Sequence, residues 1–382
     1  MRPTIKDIAE RAGVSKTTVS FALNDPSRIS ADTYKRVMAI VTEMDYVPNP
    51  VARTLTTKRL GALGLLLPQP ITEALRNPYV VEIIRGIGEL CAERELSLTM
   101  LPPLRGRVIE AARRAFVDGL ITIGVGPDHE VVELLNKRHI PFVTIDGANT
   151  EATVNVGVDD EDAAFVLMRH ILGLGHRRIA VLALMPETIK LPEERFSLVR
   201  DRRIAGFSRA LREVGLRLES PGISVVPAES SIEGGDEAVT AILSSSRAAD
   251  GSLKAQAPTA IVAMSDAVAI GAYEACRRLG LSIPADLSVA GFDDIPMAAS
   301  AMPPLTTVRQ PGREKGEVAA ALVAEFLEGV EAQRRPALHR CLPTELMVRA
   351  STAAPRQAEA RQAPARPAPT RADASAPPAS RR

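Results

Sequence analysis

Residues 4 to 24, TIKDIAERAGVSKTTVSFALN, leave the backbone few choices. Thr4, with Asp7 three residues on, forms an N-cap with an acidic variant of the capping box, and Ile5, Ile8, Ala9 and Ala12 share one apolar helix face. Gly13 ends that helix, because glycine takes a positive φ without a Cβ penalty, and Ser15 caps a second one. A turn of about three residues holds the second helix steeply across the first. Val19 and Leu23 then point inward, and Lys16, Thr17, Ser20 and Phe21 outward. This is the pattern of a helix-turn-helix whose second helix can enter a DNA major groove.

The next residues extend it. Ser30 caps a third helix with Val37, Ile40, Val41 and Met44 on one face, which completes a small three-helix core. In YVPNPVARTLTTK, Pro48 and Pro50 are expected to stop the third helix, Asn49 to cap a fourth, and Pro50 to sit at N1, where its missing N–H is harmless. A helix from Val51 to Thr57 is too short to stand alone in water and should fold only against a partner. The first 59 residues carry ten Lys or Arg against six Asp or Glu, an excess suited to phosphate contact, while the whole chain is only +1. That balance excludes a wholly basic nucleic-acid coat.

The segments AERAGVSKTTVSFALN, YVPNPVARTL and GALGLLLP resemble the lactose-repressor (LacI/GalR) family of bacterial transcription regulators. RHILGLGHRRIAVL, RRIAGFSRAL, AMSDAVAIGA, LSVAGFDDIP and PPLTTVRQP resemble further family segments in order, so the likeness spans about residues 4 to 350. The resemblance implies an all-α helix-turn-helix headpiece (1–48), a hinge helix and linker (49–60) and a two-lobed core (61–350) like the periplasmic sugar-binding proteins. It also implies a homodimer on a near-palindromic double-stranded operator, controlled by a small-molecule effector, most simply as a repressor. DNA contacts are then expected from Thr4, Ser15, Lys16, Thr17, Thr18, Ser20, Phe21 and Asn24 in the headpiece. Asn49, Ala52, Arg53 and Leu55 are expected to contribute from the hinge, with Leu55 resembling the family's minor-groove wedge.

From Gly61 to about Arg349, short apolar runs alternate with amphipathic helices, which is α/β order. Expected strands are ALGLLL, LSLTML, GLITIG, PFVTID, RIAVLAL, ISVV, TAIVAM, LSVAGF and TTV, with helices such as Pro78 to Arg94, Asp160 to Leu172 and Asp201 to Val214. Continuous apolar strands need cover on both faces, hence parallel sheets, and their number favours two lobes over one. Crossings between lobes are expected near Gly147, near Phe292 to Ser300 and around Leu305 to Gln310.

Other classes find little support. Cys91, Cys276 and Cys341 are far apart, without metal spacing, and are expected as reduced core thiols. No apolar leader and no run of eighteen apolar residues occur, which points to the cytoplasm with no membrane span. GVGPDH at 124 to 129 lacks the third glycine of a dinucleotide fingerprint, and no P-loop is present, so no cofactor is expected. His176 reads as structural. Asp159/Asp160 and Asp293/Asp294 stand at strand-to-helix junctions, where acids cap helices and accept hydroxyls more often than they catalyse; no enzyme and no metal site is expected.

Ligands of open α/β sheets bind beyond the carboxyl ends of strands. Asp146 ends PFVTID, Ser265 and Asp266 follow TAIVAM, Asp293 ends LSVAGF, and Arg203 lies in the helix carrying GFSRAL. Carboxylates accept from hydroxyls and an arginine fork donates to oxygen pairs, which suits a small polyhydroxylated effector such as a sugar. By resemblance, Asp146, Arg203, Ser265 and Asp293 match effector contacts, with Tyr79 as an apolar wall or an ordinary helix-start tyrosine. Asp266 and Asp294 are expected to cap helices or bridge lobes. Ser265 stands where many sugar-responsive members have asparagine, and Phe21 offers a recognition helix only apolar contact or packing. Beyond Ser351 the Ala/Pro/Arg-rich tail, with six arginines and no apolar heptads, is expected to be disordered (351–382) and to leave a dimer.

Overall fold

The computed structural model describes residues 3–47, 59–105, 107–126, 129–147, 150, 153–185, 198–248, 252–329 and 339–356. The headpiece is α1 (Ile5–Ala12), α2 (Lys16–Asn24) and α3 (Ala31–Glu43) around Ile8, Ala9, Ala12, Val19, Ala22, Val37 and Val41. Its caps are those the sequence announces. Thr4 and Asp7 form the reciprocal box, Gly13 has φ 67°, and the hydroxyls of Ser15 and Ser30 accept from Thr18 N and Thr33 N. α3 ends earlier than the prolines require: it stops at Glu43, and Asp45 turns the chain with φ 46°. Asn49, Ala52, Arg53 and Leu55 lie outside the described residues.

The core holds two sheets of the same winding. The first runs β2-β1-β3-β4-β5-β11, from Ser97–Leu101, Ala62–Leu66, Gly119–Ile123, Phe142–Ile145, Val154–Val158 and Arg340–Leu342. The second runs β7-β6-β8-β9-β10-β12, from Ile223–Ala228, Ile179–Leu184, Ala260–Ala263, Ser288–Asp293, Thr306–Arg309 and Glu345–Met347. Pairing is parallel except for β12, which closes the second sheet antiparallel to β10. Apolar clusters fill both faces of each sheet, which is why the strands read as continuous apolar runs.

Two of the three lobe crossings differ in place from the expectation. Gly147 joins β4 to β5 within the first sheet, and residues 292–300 join β9 to β10 within the second. The chain crosses first at Val158–Asp160, between β5 and the helix Asp160–Gly173, which packs on the helix Val199–Glu213. It returns at Gln310–Gly312, the end of the expected third crossing, and crosses last between β11 and β12. Helix pairs approach closely at glycines. A Cβ on Gly86 would lie 1.9 Å from the Arg313 carbonyl oxygen, and one on Gly206 2.1 Å from that of Glu161.

The tail begins later than its composition suggests. Ser351 is buried, with its hydroxyl accepting from Thr306 N at 2.8 Å and donating to the Val289 carbonyl at 2.6 Å. His176, also buried, bonds Thr259 Oγ1 and the Ala353 carbonyl, both at 2.8 Å, so it is structural and holds this segment down. Residues 351–356 are therefore part of the second lobe rather than disordered, and 357–382 lie outside the described residues. Cys91 and Cys276 are core thiols, with burial pushing Cys276 up to about 12; Cys341 is exposed on β11, contrary to a core role.

Candidate functional site

Two surfaces gather functional side chains. On the headpiece, Lys16 and Thr17 stand exposed at the start of α2, where backbone N–H groups point outward. Thr18 and Ser15 share a hydroxyl hydrogen bond of 2.9 Å, which fixes the cap, and Asn24 Nδ2 donates to the Ser20 carbonyl at 3.0 Å. Phe21 is half-buried with the Arg28 guanidinium 5.3 Å from its ring centre, so headpiece packing already covers part of its face. Thr4 is engaged in its capping box.

The second surface lies at the carboxyl ends of the strands, as the winding requires. From the first lobe come Tyr79, at the start of the helix Pro78–Glu93, Asp146, directly after β4, and Lys315, from the helix Gly312–Leu327. From the second come Arg203, Ser265, Asp266 and Asp293, with Asp160 at the first crossing and Gln310 at the second. Lys315 has no solvent exposure. Its ammonium donates to Asp146 Oδ1 (2.6 Å), Tyr79 Oη (2.8 Å) and Gln310 Oε1 (2.6 Å), while Tyr79 Oη donates to Asp146 Oδ2 at 2.6 Å. Gln310 Nε2 donates to Asp293 Oδ1, so one chain of hydrogen bonds runs from lobe to lobe.

Arg203 reaches this cluster, but its fork is turned inward. Nε donates to Asp160 Oδ1 at 2.9 Å, Nη1 donates to the Met264 carbonyl, and the guanidinium lies 3.6 Å from the centre of the Phe292 ring. Ser265 Oγ accepts from Val268 N at 3.3 Å as the cap of the helix Asp266–Arg278. Asp266 stays within its lobe, accepting from Thr307 Oγ1 (2.6 Å) and Ile295 N (2.9 Å). Asp294 binds Arg309 and Arg349, also within that lobe, so neither acid bridges the lobes.

Burial dominates the electrostatics. It pushes Asp266 up to about 8 and Asp293 up to about 6, Arg203 partly opposing the latter, and it raises Asp160 against the same arginine. Tyr79 is raised well above its ordinary value by burial and then by Asp146. A groove of about 560 Å³ opens over the crossing at 310–312, lined from both lobes by Tyr79, Asp293, Asp294, Gln310, Arg313 and others. That volume is within the usual range of small-molecule sites. Tyr79, Asp146, Arg203 and Asp293 thus come together at the strand ends, and Ser265 caps the helix Asp266–Arg278. Lys315 and Gln310 were not foreseen, and Asp160 was read only as one of a capping pair. The signal for Lys315 lay in its helix, where it shares the stripe of Ala319, Leu322 and Val323, all core residues.

Comparison with known proteins decides what carries these surfaces. Residues 4–49 match the bacterial regulatory proteins of the lacI family, and 168–352 match the periplasmic binding protein-like domain. The HTH-type transcriptional regulator Rv3575c of Mycobacterium tuberculosis is 31% identical over 339 residues, covering 84% of this chain and 90% of that one. The chain belongs to the lacI family. This lacI-family member is a transcriptional regulator with a DNA-binding headpiece and a ligand-binding core. The HTH-type transcriptional repressor PurR of Vibrio vulnificus is 30% identical, covering 87% of this chain and 94% of its own. The lac repressor dimer solved with operator and the anti-inducer ONPF superposes with a TM-score of 0.74 at 25% identity, covering 93% of this chain and 100% of that one.

Proposed function

We propose that this lacI-family protein is a cytoplasmic, dimeric repressor whose affinity for a near-palindromic operator is set by a small polyhydroxylated effector held between the core lobes, without turnover. One observation carries the DNA half: Lys16 and Thr17 stand exposed on a recognition helix whose angle is fixed by a left-handed Gly13 and a Ser15 cap. Ser20, Phe21 and Asn24 lie further along that helix, and Thr4, Ser15 and Thr18 frame it. Asn49, Ala52, Arg53 and Leu55 would add minor-groove contact from the hinge. The effector half rests on Tyr79, Asp146, Arg203, Ser265 and Asp293 at the strand ends, with a groove opening from the lobe crossing on Tyr79 and Asp293. The operator-bound dimer of the lac repressor supports the dimeric reading.

Selection from a random duplex library with the full chain tests it. Two inverted half-sites should emerge, and binding should weaken steeply with salt as phosphate counterions are released. Exchanging Lys16 and Thr17 together should change the recovered half-site. Recovery of no motif would sink the operator reading.

A further inference from the structure

We infer that the effector is a hydrogen-bond donor, neutral or cationic and not anionic, and that Asp160 is one of its ligands; this rests on the effector reading above. An ammonium has three N–H groups, and those of Lys315 meet three acceptors, Asp146, Tyr79 and Gln310. Arg203 turns Nε toward Asp160 and Nη1 toward the Met264 carbonyl, with the Phe292 ring over its face. Nη2 lies 2.9 Å from the same Asp160 oxygen, so Arg203 directs all three of its nitrogens at protein acceptors and Lys315 has no N–H left for a ligand's carboxylate or phosphate.

Acceptors are in the opposite position. Asp160 is buried, and its Oδ2 has no hydrogen-bond partner; the nearest cation, Arg202 Nη1, is 3.9 Å away on a side chain 30% exposed. A buried carboxylate oxygen without a donor is costly, so a ligand hydroxyl or ammonium there restores what burial removed. Asp160 sits at the first lobe crossing, and Arg203 fixes its other oxygen. The buried groups at the strand ends are four carboxyl groups, Asp146, Asp160, Asp266 and Asp293, against two cations, Arg203 and Lys315. Adding an anion makes that imbalance worse, whereas adding a donor relieves it. Lys315 acts here as a positioning residue: with its three N–H groups on Asp146, Tyr79 and Gln310, it offers a ligand no donor, and Asp160 Oδ2 is left as the unpartnered acceptor.

The test uses matched ligands on one sugar skeleton: neutral hexoses and pentoses, their amino derivatives, their uronates and their phosphates, each followed by thermal shift of the full chain. Neutral or amino members should stabilise the protein at concentrations at least tenfold below any acid of the same skeleton. In Asp160→Asn, Oδ1 still accepts from Arg203 while an NH2 group can replace Oδ2, so the preference should move toward the acid by tenfold or more. Were this variant to fail to fold, the parent series still decides. A uronate or phosphate binding the parent as well as its neutral counterpart would overturn the donor rule alone. Stabilisation by no member of the panel would overturn the polyhydroxylated effector itself, and this inference with it.

Discussion

Asp266 illustrates how one buried acid ties stability to pH. Pushed up to about 8 by burial and then by Asp293, it binds its proton more tightly in the folded chain than in the unfolded one, where an aspartate titrates near 4. Its contribution is therefore fully present below about pH 4 and is lost as pH rises toward 8. Asp293, at about 6, has the same sign over a narrower window. Asp266→Asn removes the titration for a roughly constant loss of about 1 kcal/mol at one strained hydrogen bond to Thr307 or Ile295. Thermal midpoints of the variant should then fall less between pH 5 and pH 8 than those of the parent; parallel curves would disprove the assignment. The sequence made this acid visible as a junction residue. It did not make visible that the acid is sealed inside one lobe, because that depends on β10, forty residues downstream, bringing Thr307 to it. Lys315 is legible only in part: its helix stripe with Ala319, Leu322 and Val323 turns it inward, but the partners that give it a role lie on other segments.

The helices and strands divide in the same way. Nine strands were legible as apolar runs because both faces of each sheet are covered, and the headpiece caps were legible because they are local hydrogen bonds. β5, VNVGV, is not legible as an apolar run although it is buried throughout, since Asn155 and Gly157 break it; β11 and β12 are three residues each and carry no periodicity. The first lobe crossing follows β5, so its place is hidden with that strand. The pairing of the helix Gly312–Leu327 with Pro78–Glu93 was likewise not local information, and it makes two glycines in one helix behave oppositely. Gly86→Ala places its methyl 1.9 Å from a backbone oxygen of the partner helix and should cost about 1–3 kcal/mol, or several degrees of thermal midpoint. Gly88→Ala meets nothing within 4 Å and should gain up to about 1 kcal/mol from helix propensity. Calorimetry of the two variants side by side checks this, and a shared sign would refute the close helix approach.

At the scale of the whole molecule, regulation requires that the effector prefer one arrangement of the lobes, since a ligand of equal affinity for both shifts nothing. The described residues contain a candidate for what it acts on: the chain Tyr79, Asp146, Lys315, Gln310, Asp293, which ties first lobe to second by hydrogen bonds through the crossing at 310–312. A ligand engaging Asp293 competes with Gln310 for that carboxylate and so acts on the tie itself. Asp293→Asn keeps the side chain's size, still offers Gln310 Nε2 an amide oxygen and leaves α2 untouched, so operator affinity without effector should stay within about twofold. Losing a hydrogen bond to a charged acceptor should weaken the effector by about 2 kcal/mol, roughly thirtyfold. Arg203→Ala is a poorer instrument, because it strands Asp160 in the interior without its partner, a loss of the kind that costs about 3–5 kcal/mol. The sign follows the mode of control: an inducible repressor with Asp293→Asn stays on its operator, whereas a co-repressed one fails to bind it. Fluorescence anisotropy of a labelled operator, followed while the stabilising sugar is titrated into parent and variant, reads both quantities at once. An effector midpoint unchanged by Asp293→Asn would remove this carboxylate from the coupling and break the chain between the lobes at its second-lobe end.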